Sequence, residues 1–252
     1  MNQTPEDKYK DIPLDEHVLH MWTPLSYDIP RGYDYLMRGW FSTFCHYLVL
    51  VTVAILLYPF NTLWYGLKIR GRKNLKSLKG KGFVSVSNHV HPMDCTFVNL
   101  AMFPKRLYYM TLASNFKIPV IRWIIRILGA LPLTDKISSR KELMSAMEEA
   151  LEYGSAVHIY PEGILRPYYP FLRKCKSGAF HLAYTSGKPL VPMVMTYRKP
   201  RGIYRLKRKP CISLTVLEPI YPDKTAPKSD EVSRLQELCE KRIQDFMNSY
   251  KA

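Results

Sequence analysis

"GFVSVSNHVHPMDCTF", residues 82–97, decides how this chain reads. Phe83, Val84 and Val86 form a short apolar run, the texture of a strand buried on both faces. The run ends at Asn88, and His89, His91 and Asp94 follow within six positions. In an α/β sheet, the loop leaving the C-terminal end of a strand is where ligands and chemistry are placed. Three readings are open. Asn88 and Asp94 are good turn and cap residues, so the stretch reads as a polar turn. His89, His91 and Asp94 also read as metal ligands. However, the helical zinc motif puts histidines four apart around a glutamate, and no later His or Cys cluster completes a set. The third reading is a base with its orienting acid. A neutral imidazole takes a proton from an alcohol near neutral pH, and a carboxylate on its second nitrogen fixes the tautomer. With a helix beginning near Pro92, His89 and Asp94 stand about one turn apart and His91 points elsewhere.

The same arrangement recurs at "HIYPEGILRP", residues 158–167, where a strand end is followed by Pro161, Glu162 and Gly163. Glu162 reads either as a cap in a solvated loop or as a carboxylate held at a sheet edge. Further β-rich runs are "RLYYMTL", "GALPLT", "LVPMVMTY" and "CISLTVL". "SRKELMSAMEEALEYG" reads as a helix opened by a Ser139–Glu142 capping box, with Leu143, Ala146, Met147, Ala150 and Leu151 on one face. Helices are also expected at about 177–186 and 230–250. This alternation predicts an α/β fold: a mixed, mostly parallel sheet flanked by helices.

The formal charge of +16 calls for an anionic partner, such as nucleic acid, a membrane surface or an acidic carrier. "YRKPRGIYRLKRKP", 197–210, is dense in Lys and Arg without an acid, and reads as a solvated hairpin, a contact with an anionic leaflet or a dock for an acidic acyl carrier protein. It carries no nucleic-acid recognition motif, and no nucleic-acid partner is expected. Five scattered cysteines without C-x-x-C speak against a disulfide framework or zinc ribbon and for a reducing compartment. The first 35 residues, polar and mixed in charge, show no cleavable signal peptide.

Residues 40–67 contain no Asp, Glu, Lys or Arg, which is long enough to cross a bilayer. A buried core helix is the plainer alternative. Pro59 and Asn61 also allow two shorter helices folded back into one leaflet. The expected organisation is a loosely structured polar arm at 1–35, a membrane anchor at 36–66 (hairpin or single span) and an α/β domain at 67–252. "KIPVIRWIIRILGALP", 117–132, reads as a core helix or an interfacial one.

Four blocks in order now resemble one family. "NHVHPMD" matches N-H-x-x-x-x-D; "GALPLTDK" is similar to G-x-[IL]-x-x-x-R with Lys136 at the arginine; "YPEGILRP" resembles F-P-E-G-T-R; and "LVPMVM" resembles a V-P-[IV] block. The family is the lysophosphatidic acid (1-acylglycerol-3-phosphate) acyltransferases, and the resemblance spans about residues 66–220. It implies a membrane enzyme at the cell membrane, its domain on the cytoplasmic side, that needs no cofactor or metal. It would move an acyl chain from acyl-coenzyme A or an acyl carrier protein to a lysophospholipid hydroxyl. His89 would be the base and Asp94 its orienter, with no acyl-enzyme on Cys95. Glu162 and Gly163 would hold the acceptor's glycerol end, basic residues its phosphate, and main-chain N–H groups at the strand ends the oxyanion. Leu165 stands where the family's arginine is expected, which leaves Lys136, Arg166, Arg173 and Lys176 as phosphate ligands, or points to a different head group. A metal-dependent hydrolase using His89, His91 and Asp94, and a noncatalytic basic binding module, are the rival readings.

Overall fold

The computed structural model describes residues 29–30, 32–133 and 136–250. Most of the expected polar arm, residues 1–28, lies outside them. The end of that arm is not loose: Ile29, Tyr35 and Leu36 are buried in the main core, and Tyr108 Oη donates to the Leu36 carbonyl at 2.9 Å.

Seven strands form one sheet: β1 (Lys68–Arg70), β2 (Phe83–Ser87), β3 (Leu107–Leu112), β4 (Ala130–Leu133), β5 (Ala156–Ile159), β6 (Leu190–Arg198) and β7 (Cys211–Val216), in the order β1-β7-β6-β2-β5-β3-β4. Strands β2 to β6 are mutually parallel; β7 runs antiparallel to β6, and β1 pairs parallel to β7. The sheet is therefore mixed and mostly parallel, with helices on both faces. Helices α4 (Ile137–Glu152), α5 (Gly178–Ser186) and α6 (Lys228–Ser249) bury their apolar stripes on one face, and α2 (Asp94–Met102) covers part of the other. Central β2 is buried on both faces, as its unbroken run requires.

The capping box at the start of α4 does not form. The helix begins earlier, at Ile137 after Lys136, and Ser139 is buried inside its first turn, accepting at its carbonyl from Tyr35 Oη.

The uncharged stretch is one helix, α1 (Trp40–Tyr65), rather than two short ones; Pro59 lies within it. It ends at Gly66, whose φ of +62° and whose approach to Cys211 (an added Cβ would lie 2.5 Å from Sγ) leave room only for glycine. By length and composition α1 is the one described helix able to cross a membrane. Trp40, Phe41, Ile55, Leu56, Leu63 and Trp64 are exposed, so it is not a core helix. It is nevertheless held against the domain, by contacts that include two from its own side chains. His46 Nδ1 donates to the Ile127 carbonyl at 2.7 Å, and Asn61 Nδ2 to Thr96 Oγ1 at 3.1 Å. "KIPVIRWIIRILGALP" yields only a short helix, α3 (Ile121–Ile127), with Trp123 exposed.

Candidate active site

Strand β2 lies between β5 and β6, so the ends of β2 and β5 meet where the strand order reverses. The loop after β2 is pinned first. The Asn88 amide grips β6: its Oδ1 accepts from Met195 N at 2.8 Å and its Nδ2 donates to Met195 O at 3.0 Å. Asn88 is thus a fully buried bridge between strands, not the solvated turn residue its type suggests. α2 opens at Asp94, two residues beyond Pro92. Asp94 Oδ2 then accepts from Val90 N (2.8 Å), from His91 N (3.0 Å) and from His89 Nδ1 (3.0 Å). The carboxylate is buried while the His89 ring stays about a quarter exposed. This is the arrangement of a base and its orienting acid: Nδ1 carries the proton toward Asp94, leaving Nε2 as the basic nitrogen.

His91 is held apart. Its Nδ1 accepts from Met93 N at 3.1 Å, and its ring packs between Tyr65, Phe97 and Tyr168. Burial pushes its pKa down to about 4, so it is neutral. Among the described residues no three His, Cys, Asp or Glu side chains converge as a metal site. Cys95 is a poor nucleophile, because burial and the neighbouring Asp94 push its thiol up to about 11.

The loop after β5 supports the first. Glu162 Oε2 accepts from His89 N at 3.2 Å, from Arg173 Nε at 3.1 Å and from Arg173 Nη2 at 2.6 Å; Oε1 accepts from Arg173 N at 3.1 Å. Burial pushes the Glu162 carboxyl up, while the Arg173 guanidinium and the two N–H donors draw it back. Gly163 turns with φ +76°, and an added Cβ would lie 3.1 Å from Lys176 Nζ. Arg166 donates its main-chain N–H to the His89 carbonyl at 3.1 Å, and its side chain is only 1% exposed. His89, Asp94, Glu162 and Arg173 therefore form one bonded network, with Gly163 and Lys176 beside it and Arg166 beneath. Lys136 is exposed after edge strand β4, three places from β2 in the sheet and hence about 14 Å away across it.

Two residues carry no sequence signal. The Tyr160 ring stacks on His89 (centroids 4.1 Å, 19°). Below it His158 is fully buried, with Nδ1 2.9 Å from Ser85 Oγ and Nε2 3.3 Å from Ser87 Oγ; burial and the nearby His89 push it down to about 3. These side chains meet through the β2–β5 register, which pairs Ser85 with His158, a relation between residues 73 apart.

The His89–Asp94 pair thus stands at the C-terminal ends of the central strands of a mixed, mostly parallel sheet. The acyltransferase family model matches residues 66–196, more than half of the chain, and the chain belongs to that family. It is 29% identical over 194 residues to the chloroplastic 1-acyl-sn-glycerol-3-phosphate acyltransferase BAT2 of Brassica napus, covering 75% of this chain and 54% of that protein. It is 30% identical over 154 residues to chloroplastic LPAT1 of Arabidopsis thaliana (60% and 41%) and 27% identical over 194 residues to the 1-acyl-sn-glycerol-3-phosphate acyltransferase of Saccharomyces cerevisiae (73% and 58%). The chain spans about half the length of these curated relatives. Its fold is that of the crystal structure of the 1-acyl-sn-glycerophosphate acyltransferase PlsC from Thermotoga maritima, with a TM-score of 0.61 at 21% identity over 86% of this chain and 90% of that one.

Proposed function

We propose that the chain is a membrane-bound acyltransferase that moves a fatty acyl group from a thioester, acyl-coenzyme A or acyl carrier protein, to the free hydroxyl of 1-acylglycerol-3-phosphate, giving phosphatidic acid. The observation that carries this is the 3.0 Å contact of His89 Nδ1 with buried Asp94. His89 Nε2 removes the acceptor's hydroxyl proton as the oxygen attacks the thioester carbonyl. Asp94 stabilises the imidazolium. When the tetrahedral intermediate collapses, the sulfur leaves and takes that proton from His89, so protons balance without an acyl-enzyme. The N–H groups of His89, Val90 and His91 are already engaged by Glu162 and Asp94 and do not serve as the oxyanion donors. That corrects the simplest expectation for the β2 end.

Glu162 and Gly163 shape the acceptor side of the site, where Arg166, Arg173 and Lys176 supply the positive charge near the phosphate, while Lys136 stands across the sheet from them. Lys176 is the member of that set that is exposed beside the Gly163 turn. Arg173 is committed to Glu162, and buried Arg166 contributes through the field beneath the loop. α1 serves as the anchor at the cell membrane, with the α/β domain on the cytoplasmic side. Its side-chain contacts at His46 and Asn61 are fifteen residues apart, about 22 Å along the helix, which supports a helix lying in the leaflet beside the domain.

The test is the purified chain in detergent with acyl-thioesters and a panel of lysolipids, read by mass spectrometry. Phosphatidic acid formation that disappears in His89→Ala supports the reading. Preference for a capped phosphate such as lysophosphatidylglycerol refutes the acceptor; no acyl transfer to any lysolipid refutes the activity.

A further inference from the structure

The loop joining β6 to β7, residues 199–210, is not a featureless solvated hairpin. A short 3-10 turn, Gly202–Tyr204, sets two large apolar side chains outward: Ile203 is 80% exposed and Leu206 is 88% exposed. Exposed cations surround them: Lys199, Arg201, Arg205, Arg208 and Lys209. A loop made for water would not place an isoleucine and a leucine among its most exposed residues.

The loop is also fixed in place. Tyr204 Oη donates to the Thr62 carbonyl at 2.7 Å, Lys207 Nζ donates to the Trp64 carbonyl, and Arg198 Nη2 donates to the Gly66 carbonyl. All three acceptors belong to the last turn of α1 or its cap. Leu63 and Trp64, on that same turn, are each 66% exposed. Tyr65, the last residue of α1, packs on His91 at 4.6 Å between centroids, two positions from the base. The loop thus adds Ile203 and Leu206 to the apolar side of α1 at the end nearest the site.

We propose that the β6–β7 loop is a second membrane-insertion element, which sinks Ile203 and Leu206 into an anionic leaflet beside the C-terminal turn of α1 while its cations meet the lipid phosphates. This rests on the membrane reading of α1 and goes beyond it by assigning a second contact and the lipid charge it needs. An acidic carrier protein would satisfy the cations but leave two exposed aliphatic residues continuous with a lipid-facing helix without a role. A leaflet satisfies both, the charges in the headgroup layer and the side chains below it.

The test attaches an environment-sensitive dye to a single introduced cysteine, Ile203→Cys or Leu206→Cys, in the full chain with Cys45→Ser, and reconstitutes it into vesicles. One set is phosphatidylcholine alone and the other contains phosphatidylglycerol. Glu237→Cys, exposed on α6, is the control. In anionic vesicles the dyes at 203 and 206 are expected to shift to the blue and be quenched by nitroxide-bearing lipids, while the dye at 237 reports water throughout. Arg201→Glu and Arg205→Glu should each weaken that signal by about fivefold or more, the effect of roughly one lost basic contact. Dyes that stay in water at both loop positions in anionic vesicles overturn the proposal, as does shielding that is equal at 237. Shielding that appears only on adding an acidic protein assigns the loop to a carrier instead. Activity is not read, so failure here and failure of acyl transfer are separate results.

Discussion

The loops after β2 and β5 use the same ingredients and leave them in different states. Each has a buried carboxylate paired with a nitrogen base: Asp94 with His89, and Glu162 with Arg173. In the first pair the base keeps one ring nitrogen free of the carboxylate and part of its ring open. In the second the guanidinium is closed in, bonding Glu162 and the Ile164 carbonyl. The second pair, closed to solvent, reaches the first through His89 N and sets where it stands. The two pairs differ in access to solvent: the His89 ring is partly open and the Arg173 guanidinium is closed in.

The sharpest way to break this contrast is to remove the exchangeable base. His89→Ala should lower kcat by about 10²–10⁴-fold, and Asp94→Asn should do comparable harm by allowing the wrong tautomer. Turnover within a few-fold of the parent in His89→Ala would falsify the assignment. Breaking the supporting pair acts on stability as well as rate. Glu162→Gln leaves a buried guanidinium without its counter-charge and should cost about 3–5 kcal/mol, measured by denaturant unfolding. An unchanged midpoint would mean the pair is not the clamp described. Gly163→Ala comes next: at φ +76° an added Cβ costs about 1–2 kcal/mol, and the turn beside Lys176 should shift, raising the KM for a phosphate-bearing acceptor more than it lowers kcat.

The smallest effect on rate belongs to His91. His91→Phe should leave kcat nearly unchanged, and damage equal to that of His89→Ala would restore the metal reading. Its signature is in pH. His91 is pushed from 6.5 down to about 4 by burial, and His158 to about 3. In the unfolded chain both take a proton near 6.5, so on acidification protons bind the unfolded chain first. Their contribution to stability is complete above about 6.5 and is lost as pH falls toward 4 and then 3. His91→Phe should flatten the upper part of that acid limb in unfolding midpoints taken across pH, and a limb of unchanged slope would contradict the burial argument.

Much of this was legible because it is local. β2 to β7 announce themselves by composition, α4 and α6 by periodicity, and the His89–Asp94 contact by a spacing of five residues across a helix start. Most of what stayed hidden depends on distant partners. β1 has three residues and exists because it pairs with β7, with Lys68 opposite Ser213. The capping box at Ser139 does not form because the helix already begins at Ile137. Asn88 looks like a turn residue until Met195 arrives, 107 residues on. Arg166, one position past the place the family motif expects, has a polarity that suggests surface and a location that is nearly sealed. Pro59, a helix breaker by type, lies inside one continuous helix.

The contacts of α1 with the domain also set an order of events at the ribosome. The carbonyl that receives His46 belongs to Ile127, 81 residues downstream, and Thr96, the partner of Asn61, lies 35 residues on. At translation speeds of about 5–20 residues per second, α1 emerges roughly 4–16 s before Ile127 is made, and the β6–β7 loop that bonds its last turn comes later still. For that interval a 26-residue apolar helix has no domain to lean on. The nascent chain must therefore be received by lipid or by a chaperone before its fold is complete, and the domain then assembles against a helix already in place.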